Sequence, residues 1–219
     1  MKAAFICPIF ETYPQIISSL ICQTRPDWEL WLIHNGPSPT GRIVEHVTEC
    51  RDARVRLILN GTETGHYGHP LRRWAIEQMR QGNLSPAATH VVITNGDNYY
   101  VPSFVEKMLQ AFEARPSSIA AYCSQMVHHY ESRQQTAILE NDQPTADLRW
   151  SQYRWGVLQC RLQRGYIDCG GVMIRKDAAC SVDWSSLEHS SDWTYFEDLI
   201  AKYGEARWVK VDGCLFVHN

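Results

Sequence analysis

Along the first 115 residues, apolar and polar positions fall into blocks that switch repeatedly between strand and helix spacing. Ala3-Ala4-Phe5-Ile6-Cys7-Pro8 is continuously apolar and is stopped by proline, which predicts a buried first strand. Within Pro14 to Gln23, the residues Ile16, Ile17, Leu20 and Ile21 recur every three to four positions and so share one helical face, and Pro14 suits a first helical turn. Glu29 to His34 predicts a second strand that ends in the breaker-rich turn Asn35-Gly36-Pro37. A helix over Arg42 to Arg51 and a third strand over Val55 to Leu59 follow. Leu71 to Met79 is again helical, His90 to Thr94 is a fourth strand, and Pro102 to Ala114 a further helix.

Strands that alternate with helices predict an α/β fold, a Rossmann-like, mostly parallel central sheet flanked by helices. Ligands of such sheets collect at the carboxyl ends of the strands, so the residues just after each strand are the ones to read for chemistry. The second half is less regular. Ala120 to Ser124 and Gly171 to Ile174 read as strands, and the polar stretch from Tyr130 to Gly156 as a loop or lid.

Composition narrows the class. A chain of 219 residues fits one domain, and 44% hydrophobic with 21% charged residues is a globular rather than a disordered balance. A formal charge of −3 gives no global positive field, so nucleic acid is not expected as a partner. No apolar run approaches the roughly 20 residues of a membrane span, and the apolar start is too short for a signal peptide. Attachment to a membrane through a partner stays open. The eight cysteines show no C-x-x-C pairing, which argues against a zinc cluster and for buried, reduced thiols in a cytoplasmic protein.

The sharpest chemical signal is Thr94-Asn95-Gly96-Asp97-Asn98, where a carboxylate directly follows an apolar strand. Hard oxygen ligands at that place suit Mg²⁺ or Mn²⁺. An Asn-Gly turn with an exposed aspartate is the plain alternative. Gly65-His66-Tyr67-Gly68-His69 offers glycines that admit close backbone approach, a tyrosine able to stack on a base, and two histidines that read as pocket walls rather than metal ligands. Of Arg72 and Arg73 on the next helix, one can face a diphosphate, with Arg73 the candidate. Trp150, Tyr153 and Trp155 could stack on sugar faces or fill a core.

Four pieces in order resemble the family 2 glycosyltransferases: Cys7-Pro8-Ile9-Phe10; Ser18 to Thr24 with Asp27-Trp28-Glu29-Leu30; Asn95-Gly96-Asp97-Asn98-Tyr99-Tyr100-Val101-Pro102; and Leu215-Phe216-Val217-His218-Asn219. The resemblance implies a GT-A fold over residues 1–219, with a nucleotide-binding half at 1–115 and an acceptor and catalytic half at 116–219. It implies a donor such as a UDP- or GDP-linked sugar, a glycan or other hydroxyl acceptor, and Mn²⁺ or Mg²⁺. Asp97 and His218 would hold the cation, Pro8 and Phe10 would line the base pocket, and Asn35 and Asn95 would hydrogen-bond to base or ribose. Asp192, in Ser191-Asp192-Trp193 ahead of a helical stretch ending near Gly204, is the candidate general base, with Glu197 and Asp198 as competitors. Asp168-Cys169-Gly170-Gly171 resembles the segment beside the donor sugar and acceptor.

This chain departs from the family pattern in two pieces: Asn95 stands where the first aspartate of the acidic motif is usual, and His34-Asn35-Gly36 where Asp-Asp-Gly is common. Ser191 likewise replaces a glutamate. These changes support a rival reading, a nucleotide-sugar-binding relative without transferase activity. A nucleotidyltransferase is a further rival, but Pro8-Ile9-Phe10-Glu11 is not the glycine- and base-rich loop a triphosphate would want. A dinucleotide oxidoreductase lacks its G-x-G-x-x-G.

Overall fold

The computed structural model describes residues 1–10, 14–37, 42–61, 64–129, 139–140, 143–144 and 154–218. Its elements, in chain order, begin with β1 (Ala3–Ile9), α1 (Pro14–Ile21), β2 (Trp28–His34), α2 (Ile43–Cys50), β3 (Val55–Leu59), α3 (His69–Arg80) and β4 (His90–Ile93). The short β5 (Tyr99–Tyr100), α4 (Phe104–Ala114), β6 (Ala120–His129), β7 (Leu139–Glu140), β8 (Gln143–Pro144) and β9 (Arg154–Leu158) follow. The chain closes with β10 (Val172–Arg175), α5 (Lys176–Ala179), α6 (Ser191–Tyr203) and β11 (Trp208–His218). Trp150 and Tyr153, and most of the stretch read as a loop or lid, lie outside the described residues.

One sheet of nine strands runs β3-β2-β1-β4-β10-β6-β11-β5, with β9 added on β6. β1, β2, β3 and β4 are parallel, as their alternation with helices requires, and β6 pairs β11 in parallel. β10 is the reversal. It enters between β4 and β6 antiparallel to both, so its first residue lies at the carboxyl end of β4. That reversal delivers the 168–171 segment to the edge where β1 and β4 finish.

β1 is buried along its whole length because both faces are covered. Ala3, Phe5, Cys7 and Ile9 pack with Ile16, Leu20, Phe104, Met108 and Leu109 of α1 and α4, whereas Ala4 and Ile6 pack with Leu71, Ile76, Phe196 and Leu199 of α3 and α6. An uninterrupted apolar run is thus a two-sided strand, its residues dealt alternately to two helical layers. Glu29 is the polar intruder. Burial alone would raise its carboxyl, but hydrogen bonds from Lys2 (2.7 Å), Ser85 and Trp31 (3.1 Å) outweigh it and hold the group below the usual range. All eight cysteines are free thiols; Cys7, Cys123, Cys160 and Cys169 are buried, and Cys22 is exposed.

Candidate functional site

The acidic turn is built from the end of β4. Thr94 N–H donates to Ile6 C=O (2.9 Å), which continues the β1–β4 ladder one step, and Asn98 N–H donates to Asn95 C=O (3.3 Å), which closes the turn. Thr94 Oγ1 accepts from Asn98 Nδ2 (3.0 Å), and the buried Tyr100 hydroxyl lies 2.7 Å from Thr94 Oγ1 and 3.0 Å from Gly170 C=O. The turn is therefore tied to the 168–171 segment. Gly170 is required there, since a Cβ would meet Phe216 Cζ at 2.5 Å.

Asp97 emerges from this turn half-buried. Its Oδ1 is buried and makes no hydrogen bond among the described residues. Burial raises its carboxyl above the usual range; His218 and Arg72 pull it down and Asp168 pushes it up. The pairing of Val217 with Tyr99 puts His218 alongside the Asp97–Asn98 turn, and His218 Nδ1 lies 3.8 Å from Asp168 Oδ1. Asp168 in turn accepts from Gly170 N–H (2.8 Å).

Asp192 occupies the first turn of α6. Its carboxyl is pushed up to about 7, first by burial and then by the neighbouring charge of Asp168, against the opposing pull of the Trp193 N–H (2.8 Å), Arg72 and His218. One oxygen from each of Asp168 and Asp192 and the Cys169 sulfur lie within 4.8 Å of one another. Burial holds the Cys169 thiol well above its ordinary value, so the cluster presents hard oxygens rather than a thiolate. Glu197 and Asp198 are exposed on α6, away from this cluster.

The cation of the site is Arg72, 3% exposed. It donates to Tyr67 C=O (2.8 Å), to Asn95 Oδ1 and to His69 Nδ1 (2.9 Å), and it lies over the Trp184 ring at 5.5 Å. Every one of these partners is neutral. Arg73 lies on the exposed side of α3 and donates to the Trp184 (2.8 Å) and Ser185 (2.7 Å) carbonyls instead. The sequence contained the signal that separates them: Arg72 sits on the same helical stripe as Ala75, Ile76 and Met79, the face that α3 buries. His69, read from sequence as a pocket wall, and Ser191, noted there as standing in a glutamate's place, join α3 to α6. Ser191 Oγ is 2.9 Å from His69 Nδ1 and 3.0 Å from Nε2, and the ring stacks on Trp184. Burial and the Arg72 charge depress His69 to about 4, so the ring is neutral and can accept from Arg72.

The remaining candidates lie around the ends of β1 and β2. Asn35 Oδ1 accepts from Thr64 N–H and from Thr64 Oγ1, both at 2.8 Å, which pins the 64–68 loop beside Ile9. Pro8 is buried against Gly68, where a Cβ would stand 2.8 Å from Pro8 Cβ, and Phe10 is 56% exposed. Gly65, His66, Tyr67 and Gly68 all have positive φ, from 48° to 74°. Tyr67, 75% exposed, places its ring edge-on to His189 at 5.6 Å, towards α6.

Asp97, Asp168, Asp192 and His218 thus converge on one edge of the sheet with the guanidinium of Arg72, and Asn95 joins them through Arg72. Pro8, Phe10 and Asn35 form a second group around the end of β1. Arg73 belongs to neither.

No family model matches the chain, and no curated protein matches it in sequence. Solved structures do match in shape. TarS of S. aureus, residues 1–349, superposes with a TM-score of 0.68 at 13% identity over 100% of this chain and 60% of that one, and its complex with UDP-GlcNAc with 0.67 at 15% over 99% and 58%. Glucosyl-3-phosphoglycerate synthase of Mycobacterium tuberculosis, in complex with Mn²⁺, UDP and glucosyl-3-phosphoglycerate, gives 0.59 at 14% over 100% and 72%. A CMP:2-keto-3-deoxy-manno-octonic acid synthetase complexed with CTP gives 0.52 at 13% over 99% and 91%. The chain spans about three fifths of the TarS 1–349 structures it resembles. What these likenesses establish is the fold: a mixed α/β, GT-A architecture of the kind found in TarS and glucosyl-3-phosphoglycerate synthase.

Proposed function

We propose that the chain is a family 2-like, inverting glycosyltransferase that uses a divalent cation and moves a sugar from a nucleotide-diphosphate donor to an acceptor hydroxyl. The observation that carries this reading is the cluster of three carboxylates and His218 around Arg72 at the carboxyl edge of β1 and β4. Three acids facing one fixed cation leave an excess of negative charge, and Asp97 Oδ1 is buried without a hydrogen bond among the described residues. These residues fit a hard divalent cation. Asp97 and His218 would hold it, and when bound such an ion neutralises the negative charge that develops on a departing diphosphate.

The protein's own residues then divide the work. Pro8, Phe10 and Asn35 border the base and ribose, and Asn95 holds the Arg72 guanidinium towards the acids. Asp192 takes the proton. As the acceptor oxygen bonds to the anomeric carbon, the bond from that carbon to the diphosphate oxygen breaks on the opposite face, and the hydroxyl proton passes to the Asp192 carboxylate. A carboxyl poised near 7 is a stronger base than an ordinary aspartate and still ionises at neutral pH.

The first test is calorimetric titration of UDP and of GDP, each with Mn²⁺ and with EDTA, on the wild type and on Asp97→Ala. Metal-dependent binding of one nucleotide, lost in the variant, is the expected result. Absence of binding by either nucleotide with metal present would remove the donor site. Asp192→Asn separates the rivals, because a binding protein without activity would be indifferent to it. The CTP-bound neighbour motivates a third assay: pyrophosphate release from nucleoside triphosphates, which a glycosyltransferase does not catalyse.

A further inference from the structure

Beside Asp192 lie aromatic and cationic groups that the donor contacts of Pro8, Phe10, Asn35 and Asn95 and the proton transfer to Asp192 leave free, Tyr67 among them, whose ring turns to His189 rather than to that donor group. Tyr67 is 75% exposed, and its backbone is held in the left-handed region within four consecutive positive-φ residues. For His66 and Tyr67 that conformation is costly, of order 1–2 kcal/mol per residue. The loop keeps it because Arg72 binds the Tyr67 carbonyl, Thr64 is fixed on Asn35, and Gly68 packs on Pro8. The result is an aromatic ring projected into solvent, edge-on to His189, three residues before Asp192.

Arg164 reaches the same 189–192 segment. Its Nη2 donates to Ser190 Oγ (2.5 Å), two residues before Asp192. Arg161 lies over the Tyr166 ring at 4.3 Å in the same 161–166 turn. Neither guanidinium has a carboxylate partner among the described residues, whereas Arg25, Arg42, Arg54, Arg80 and Arg175 all have one. Residues 157–167 contain both arginines and no acid; Glu188 is the one acid in 184–191.

We propose that Tyr67, His189 and Arg164 form an acceptor subsite that selects a hydroxyl compound bearing a phosphate or carboxylate group. Tyr67 and His189 supply faces on which a sugar or polyol can rest, and Arg164 supplies the planar donor fork that matches a phosphate or carboxylate. Bound there, the anionic group anchors the acceptor while its hydroxyl faces Asp192. The proposal rests on the transferase reading, since the subsite has its purpose only beside a general base.

The test is a heteronuclear NMR titration of the intact protein with glycerol 1-phosphate, and with glycerol as the uncharged control, in the absence of metal. Saturable shifts at the Arg164 Nε–H and at His189 are expected, with glycerol 1-phosphate bound at least roughly tenfold more tightly than glycerol. Arg164→Gln should weaken glycerol 1-phosphate roughly tenfold, and Arg164→Lys, which keeps the charge but loses the fork, by less. Arg164 is exposed, so both variants should fold, and thermal melts check that they do. No saturable shift, an equal response to glycerol, or unchanged affinity in Arg164→Gln would overturn the subsite. UDP and Mn²⁺ binding is measured separately, so loss of the donor site and loss of the anion subsite are distinguishable.

Discussion

Replacing Asp192 by asparagine should stabilise the metal-free protein at alkaline pH while sharply reducing the proposed sugar transfer. The carboxyl moves from an ordinary 3.8 to about 7 on folding, because burial and Asp168 both penalise its charge. Between those values the folded chain keeps a proton that the unfolded chain has released, so raising the pH through this window favours unfolding. At about 1.4 kcal/mol for each tenfold change in the proton equilibrium, the full displacement corresponds to about 4 kcal/mol, and to about 2 kcal/mol where solvent screening halves it. Asparagine resembles the protonated form and carries no such penalty. The variant should match wild type near pH 4 and exceed it by about 2–4 kcal/mol at pH 8, where both pKa values have been passed. Urea melts at the two pH values in EDTA measure this. With an m-value of about 2 kcal/mol/M, the midpoint difference at pH 8 is about 1–2 M. Other titrating groups cancel in the comparison. A stability difference that is the same at pH 4 and pH 8 would refute the buried, repelled carboxylate, and transfer activity that survives within tenfold would refute its role as base, for which a loss of about 10²–10⁴ is expected.

The floor of the site gives a steric prediction: Gly170→Ala drives a Cβ to 2.5 Å from Phe216 Cζ and should cost about 1–3 kcal/mol, or about 3–9 °C in Tm. Gly171→Ala, whose nearest contact is Phe216 Cδ1 at 3.3 Å, should cost less than about 1 kcal/mol, and calorimetric scans of the two variants measure both effects. His90, buried against Phe112 and depressed to about 4, is neutral when folded and charges readily when unfolded, so its stabilising share is complete above about pH 6.5 and is lost as the pH falls towards 4. Urea melts at pH 6.5 and pH 4.5 should show His90→Phe losing about 2–3 kcal/mol less than wild type over that interval, and an equal loss in the two proteins would contradict the assignment.

Most of the elements were legible because each carries its own period. The apolar stripe of α1 and the closed runs of β1, β2 and β4 follow from local side-chain spacing, and the observed ends lie within about two residues of those predicted. The turn after β4 was legible too, since Asn-Gly-Asp-Asn after an apolar strand has few other uses. Five strands were not. β7, β8 and the start of β9 fall in the stretch read as a loop or lid, whose polar side chains carry no strand period. β5 has two residues, too few for any period, and β11 reads Trp208-Val209-Lys210-Val211-Asp212-Gly213-Cys214, an alternation broken by a glycine where its pairing with β6 shifts register.

What the sequence determined by itself was the alternation of strands and helices, the two-sided burial of the central strands, and the carboxylate-bearing turn at the end of β4. These depend on neighbours along the chain. The tertiary structure decided which groups meet there. The antiparallel entry of β10 brings Asp168 beside Asp192 and His218, and no local pattern encodes that reversal. Arg72 rather than Arg73 reaches Asn95, because the stripe that α3 buries points one guanidinium inward and its neighbour out. Nor could spacing reveal that Asp192 would rest near 7: that value comes from a low-dielectric surrounding and a second carboxylate 24 positions away in the chain, a field made only when the sheet is assembled.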